Sequence, residues 1–560
     1  NTDGFMTEHM EFADQLAGYV ESEHPEFLVN KLYYDAYKKD MTAGTYPDVR
    51  SGLQKLLKDG LLLFNYTGHG GTTALSDEKV LTQTDINQFT YTHLPVWVTA
   101  TCDFTRFDDL NTSAGEDVFL NKSSGGIALF TTVRVAYSRP NFPINDNVIR
   151  NLFERNNGRR RTLGEVMQAT KNTLSSVYKL GFCLIGDPAV KIAYPEFGMK
   201  VTTVNGQSVD GNSISFKALE KITVEGEVLD ASGQLVTDFT GIVNPTVKDS
   251  KVTVTCLKNS NKDDSPAFTF TDYPNTIFIG NDSVRNGKFS FTFTVPKDIS
   301  YSNLQGKMNL YAVDTESGNE AQGNFDNFIV GGTSDTAETD TIGPEIRALY
   351  LNDTTFVDGG QVNTTPYFVA ELWDKSGVNI TGSSVGHDMM LVIDESTVLS
   401  YNLNSYYELL PGEDGTGIVK FPIPALEPGK HTAEFWVWDI LNNSTVRTFT
   451  FEVVEGLKPF LFDVIATPGI AREQVTFHLM HNRPESRMRV GIMVYDLAGR
   501  QLWKHEESGT SGLFENYTVS WDLTSGGARM RPGVYIYRAA ISTDNSKDAT
   551  KARKFIILGE

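Results

Sequence analysis

Three short, largely apolar runs, Leu61–Tyr66, Pro95–Ala100 and Ile127–Phe130, recur in the first 130 residues with helix-type stretches around them. Met10, Ala13, Ala17 and Val20 fall on one helical face. Val49, Leu53, Leu56 and Leu57 follow Pro47 at helical spacing and stop at Gly60. Further helical patterns lie near Ile144–Phe153 and Leu163–Val177, and Leu184–Ala193 closes this part. Strands that are apolar on both faces and alternate with helices require a mainly parallel sheet covered on both sides. Phe27–Tyr34 adds a short β-leaning run.

Beyond residue 198 the texture changes. Period-2 runs recur between turn signals: Val201–Val204 meets Asn205-Gly206, a hairpin dipeptide, and Phe289–Val295 alternates clearly. Gly331–Asp340 reads as a polar, acidic linker. A second β unit follows Gly343-Pro344, and a third begins near Leu457. The expected fold is multidomain: an α/β half-domain over 1–196, then all-β immunoglobulin-like sandwich modules over 197–340, 341–456 and 457–560. A chain of 560 residues has room for these four units.

Charge narrows the partners. Lys and Arg number 49 against 70 Asp and Glu, a net charge of −21. Such a chain repels phosphate backbones and anionic lipid, so nucleic acid is excluded as a partner of its overall field. Three cysteines are too few for a disulfide framework. No apolar run of about 18 residues encodes a transmembrane helix. Asn1–Phe5 is not a signal peptide and reads like the middle of a domain, so the chain is expected to be a fragment or a processed form.

Active sites on open α/β sheets lie beyond the carboxyl ends of strands. One predicted strand ends at His69 and another at Cys102, with one crossover between them. An imidazole beside a thiol is the pairing that thiol catalysis uses. Gly68 and Gly70 flank the histidine and let the chain turn and expose N–H groups, so the amides of Gly70 and Cys102 are the candidate oxyanion donors. The plainer readings are a loop histidine and a small buried cysteine; Cys183 and Cys256 fit the latter. Arg134, Tyr137 and Ser138 follow the third strand and are candidates for the substrate cleft. Glu116 is a candidate supporting group, although acidic residues there also suit a helix start. Asp374 and Asp439 would suit structural calcium, but no spaced carboxylate loop supports it, and no cofactor is required. The run Asn156–Arg161 reads as a solvated loop.

The blocks Asn65–Gly71, Val98–Asp103, Ser113–Asp117, Gly125–Leu129 and Ile185–Pro188 resemble, in order, those of the gingipain family of caspase-like cysteine peptidases. The resemblance implies His69 as general base and Cys102 as nucleophile, and places Asp3 weakly in the pocket for the side chain before the scissile bond. It covers only the second half of that catalytic domain. The first half, with a carboxylate that orients the histidine, would precede Asn1, so an upstream half of the same chain is an expected partner.

In the last unit, Thr467–Ala471, Val494–Arg500, Trp521–Leu523 and Pro532–Tyr537 resemble the C-terminal sorting domains of type IX secretion cargo. The whole arrangement resembles a sortase of that system. This implies a peptidase or transpeptidase, peripheral at the outer membrane of a Gram-negative cell surface. Its expected partners are cargo bearing C-terminal sorting domains, a PorV-like outer-membrane β-barrel carrier, and anionic lipopolysaccharide as acyl acceptor. Gly533–Tyr537 would dock the carrier by strand pairing or an aromatic patch. The alternatives are a secreted gingipain-like protease with its own export signal and a non-catalytic surface scaffold.

Overall fold

Two hydrophobic clusters lie on opposite faces of one small sheet and define the N-terminal unit. The computed structural model describes residues 7–89, 91, 93–122, 124–156, 158–259, 266–334, 340–382, 386–410, 415–543 and 546–558. The sheet contains β1 (Leu63–Thr67), β2 (Val96–Ala100), β3 (Ala128–Thr132) and β4 (Phe182–Ile185), side by side in that order. β1, β2 and β3 run parallel, and β4 is antiparallel to β3. Val96, Val98 and Phe130 face one cluster, whereas Trp97 and Leu129 face the other. Both faces are buried, which is why the runs are apolar throughout rather than alternating.

The helices supply the cover. α1 (Glu8–Glu23), α5 (Ser138–Phe153) and α6 (Leu163–Thr173) contribute to the first cluster; α2 (Pro47–Asp59) and α4 (Ala114–Leu120) contribute to the second, beside the short α3 (Gln83–Gln88). α2 begins on Pro47 and stops at Gly60, whose φ of 104° suits glycine. α3, α4 and α6 each start with a capping box. α5 begins six residues before the stretch Ile144–Phe153 that periodicity marks, with Pro140 and Pro143 in its first two turns. Pro140 falls in the first turn, where N–H groups lack an intrahelical acceptor, whereas Pro143 lies inside the helix and forgoes one bond.

Phe27–Tyr34 does not form a strand. Its bonding partners lie on α1 and in the first β unit instead of on β1. Lys31 is buried, and its Nζ donates to Asp14 (3.0 Å), Glu21 (3.3 Å) and the Thr271 carbonyl (2.9 Å). Lys307 and Asn309 donate to the carbonyls of Phe27, Pro25 and Glu26. Tyr33 packs with Cys256 and Phe270. A cavity of about 470 Å³ separates this segment from the open edge of β1.

Three all-β units follow, each with its own core. In the first, Asn205 and Gly206 take positive φ and turn Phe197–Val204 into Gln207–Ser208, as the dipeptide predicts. Its layers join where Glu320–Phe325 pairs with Phe197–Val204, so the main sheet closes on itself. The second pairs a four-stranded with a five-stranded sheet, and the third a three-stranded with a five-stranded sheet. The fold is thus an α/β unit followed by β-sandwich units, as the sequence texture predicts.

Gly533–Ser542 is not an edge strand; it lies between Met488–Tyr495 and Ala549–Ile557. Tyr535 and Tyr537 both point into the core, two residues apart on one face, and their hydroxyls donate to Arg531 and Val464 carbonyls. Gly533–Tyr537 therefore presents neither a free strand edge nor a tyrosine patch, and its tyrosines fill the sandwich core.

Removing one partner of the buried Lys31 cluster leaves Asp14 and Glu21 facing each other without their cation. Lys31→Ala should lower stability by about 3 kcal/mol in urea unfolding. A midpoint unchanged from wild type would show that the segment is held by other contacts.

Candidate active site

The register of β1 on β2 sets the site. Thr67 stands opposite Ala100, an offset of 33 residues. His69 and Cys102 each come two residues later, so they leave the sheet at equivalent places on neighbouring parallel strands. The two turns touch. A Cβ on Gly70 would fall 2.4 Å from Thr101 Oγ1 and 3.2 Å from its Cγ2. Thr101 is almost fully buried, so only glycine allows this approach.

Each turn is pinned from behind. The His69 carbonyl accepts from the Tyr66 hydroxyl (2.7 Å) and the Ser76 amide (2.8 Å). Burial pushes the Tyr66 phenol well above its ordinary value, so it stays a neutral donor. On the cysteine side, Thr132 Oγ1 donates to the Thr101 carbonyl (2.7 Å), and buried Thr99, Thr131 and Thr105 hydroxyls form a chain below it. The first turn of α4 joins the two sides: the Ala114 amide donates to Thr72 (2.6 Å) and the Gly115 amide to Phe104 (2.9 Å).

Cys102 Sγ lies against the main chain of Ala136, donating to its carbonyl oxygen at 3.1 Å and accepting from its N–H at 3.4 Å. Among the described residues, the amides of Gly70 and Cys102 donate to no main-chain carbonyl, as oxyanion donors require. The His69 ring meets the His9 ring edge-on at 5.1 Å.

The other sequence candidates are placed as follows. Arg134 forms a two-pronged pair with Asp108, at 3.0 and 2.6 Å. Tyr137 is largely exposed, its ring edge-on to Tyr178. Ser138 Oγ donates to Glu8, which also accepts from Arg139 Nε at 2.6 Å. Glu116 turns to its own helix start and accepts from the Ser113 amide and hydroxyl (2.8 and 2.7 Å), so it steadies the α4 turn that holds both loops. Asp3 lies outside the described residues. Asn156–Arg161 carries a short hairpin rather than a plain loop, with Arg160 over the Tyr194 ring.

Sequence reading missed Glu8 and His9. Burial drives the Glu8 carboxyl up, but bonds from Ser138 and Arg139 and the charges of Arg139 and His9 outweigh it and hold the group below its ordinary value. A Glu-His pair at a helix start carries no motif, and its partners lie some 60 to 131 residues away.

Cys256 is a buried structural thiol, its pKa pushed to about 11 by burial. In the second β unit, Asp374 and Asp439 come together with Asp340, with carboxylate oxygens within 4.8 Å of one another. Oxygen donors of this kind suit a hard cation. Burial, with the charges of its two neighbours, pushes Asp374 up to about 6.

Residues 1–193 match the sequence model of Peptidase family C25. This part of the chain therefore has the gingipain-type cysteine peptidase fold that its motifs imply. Among solved structures, the chain is similar to dimeric latent PorU from Porphyromonas gingivalis. The identity is 36%, over 78% of this chain and 41% of that one, with a TM-score of 0.32. It is also similar to the complex of Porphyromonas gingivalis RgpB pro- and mature domains, at 20% identity over 50% of this chain and 57% of that one, TM-score 0.24. The chain thus spans about two fifths of the PorU structure's length. No curated protein matches.

Two outcomes are expected. Gly70→Ala should cost about 1–3 kcal/mol by forcing the turns apart, and Thr101→Ala in the same chain should restore most of it; equal loss in both proteins would place the clash elsewhere. For Asp374, the raised folded value means that its contribution is full below the unfolded value of 3.8 and is lost as pH rises through about 6. Asp374→Asn should therefore raise the unfolding temperature by a few degrees at pH 8 in chelator, with the gain gone near pH 4. A gain independent of pH would contradict this.

Proposed function

We propose that the chain is a cell-surface cysteine peptidase of the sortase kind, which cuts C-terminal sorting domains from secreted cargo through a Cys102 thioester. The observation that carries this reading is the matched exit of His69 and Cys102 from paired parallel strands, with the two turns in contact. The family match over residues 1–193 and the likeness to PorU support the same chemistry.

In the resting arrangement the thiol is hydrogen-bonded to Ala136. Rotation about Cα–Cβ frees the sulfur, and His69 takes its proton. The thiolate attacks the carbonyl at the junction of cargo and sorting domain, and the amides of Gly70 and Cys102 hold the developing oxyanion. His69 returns the proton to the leaving amine, and the C–N bond breaks to leave a thioester. Water or an amine then attacks the thioester and releases the sulfur. An amine on anionic lipopolysaccharide would make the reaction a transpeptidation.

Among the described residues, no helix is long and apolar enough to cross a membrane. Attachment at the outer membrane would come from a β-barrel carrier that receives the last β unit. The upstream half of the domain would supply the group that orients His69.

In cells, Cys102→Ala and His69→Ala should each abolish release of sorting domains from cargo while the protein remains folded. For single members of a catalytic pair, losses of about 10⁴-fold or more are expected. Normal cargo processing by either variant would remove the assigned roles.

A further inference from the structure

Cys102 begins the loop 102–112, its sulfur lies against the stretch 133–138 at Ala136, and that stretch in turn packs on the turn Val177–Gly181. They touch one another. Asp108 on the first pairs with Arg134 on the second. The Val133 amide donates to Gly181 at 2.8 Å, and a Cβ on Gly181 would lie 3.3 Å from Arg134 Cβ. Tyr137 meets Tyr178 with ring centres 6.0 Å apart.

These segments carry six large apolar side chains at the surface. Phe107, Val135, Tyr137, Val177 and Leu180 are each more than half exposed, and Leu110 is completely exposed. Single exposed apolar residues are ordinary; six on three adjoining segments, one of which begins at Cys102 and another of which contacts its sulfur, mark a binding surface.

The arginines on the same segments pair with aspartates there, and the lysine is held by main-chain carbonyls. Arg106 pairs with Asp109 at 3.5 Å, and Arg134 pairs with Asp108 through both nitrogens. Lys179 Nζ donates to the Lys171 and Leu174 carbonyls. Just beyond them, Arg139 pairs with Glu8. The rim offers apolar area with its arginines paired to carboxylates and its lysine tied to carbonyls, which favours a ligand that is apolar itself.

We infer that this rim is the specificity surface of the site, and that it takes an extended peptide with apolar side chains on both sides of the bond presented to Cys102. This rests on the reading of Cys102 as the nucleophile and names the substrate class for it. Phe107 and Leu110 would contact one side of the bond, and Val135, Tyr137, Val177 and Leu180 the other. Neutral pairing of Arg134 means that acidic and basic side chains would lose hydration there without gaining a partner.

The test uses the full chain and needs no turnover. Cys102 is alkylated with iodoacetamide, and its rate is read by site-resolved mass spectrometry in the presence of capped hexapeptides. One peptide alternates Leu or Val with Thr; two others carry Lys or Glu in place of the apolar residues. The apolar peptide should protect Cys102 at a concentration about tenfold lower than the charged ones, and Val177→Ser with Leu180→Ser should raise that concentration about tenfold. Unchanged thermal unfolding is the check that the double variant is folded.

Equal protection by all three peptides, no protection by any, or preference for Lys or Glu overturns the proposal. If none protects and the double substitution breaks up a dimer seen by sedimentation, the rim is instead a contact between copies. Failure of the nucleophile reading shows elsewhere: His69→Ala would then leave the rate and pH profile of Cys102 alkylation unchanged without any peptide, whatever the peptides do.

Discussion

The parallel pairing of Leu63–Thr67 with Val96–Ala100 is the constraint on which the site depends. A parallel pair cannot be joined by a tight turn; it needs a crossover, here the residues between His69 and Pro95. That crossover returns the chain with its carboxyl end beside the first, and both turns leave from one end of the sheet. Contact between Gly70 and Thr101 then fixes their separation more tightly than strand spacing alone. The capped start of α4 bonds to both turns and resists their splaying.

The β units bear on the same site from outside. The first unit grips residues 25–39 through Lys31, Lys307, Asn309 and the bonds between Asp35 and the 257–259 loop. The last unit meets the α/β unit through Lys58–Glu485 and through Arg487 on the Asn87 carbonyl. These contacts tie the helices and loops around β1 to the sandwiches. They also compete with β1 for the segment Phe27–Tyr34, whose side chains would suit a strand. A buried lysine satisfied by two carboxylates of α1 and a carbonyl of the β unit is costly to undo, which keeps the segment between the two.

The second β unit shows a different balance. Asp374 and Asp439 are almost fully buried and lie against Asp340, with desolvation and mutual repulsion both opposing ionisation. Local amides offset part of this: Ser376 and Gly377 donate to Asp374, and Leu441 and Asn443 to Asp439. The geometry brings oxygen donors together at the expense of stability at neutral pH.

Several features were legible in the sequence because local chemistry decides them. Unbroken apolar runs declare strands buried on both faces, Asn205-Gly206 declares a hairpin, and glycine at positions 68 and 70 declares a sharp turn. The motifs around His69 and Cys102 resemble those of the family whose sequence model matches residues 1–193. Other features depended on partners far along the chain. Phe27–Tyr34 reads as a strand until Thr271 and Lys307 claim it. Asp340 reads as the end of a linker until the fold sets it beside Asp374 and Asp439. Glu8 reads as a helix-start acid until Ser138 and Arg139 arrive. Gly533–Tyr537 reads as a docking segment until its strand takes the middle of its sheet. Sequence fixes backbone preferences and periodicity within a few residues; only packing across tens or hundreds of residues chooses the neighbour of each polar group, and with it which edges and side chains remain free to act.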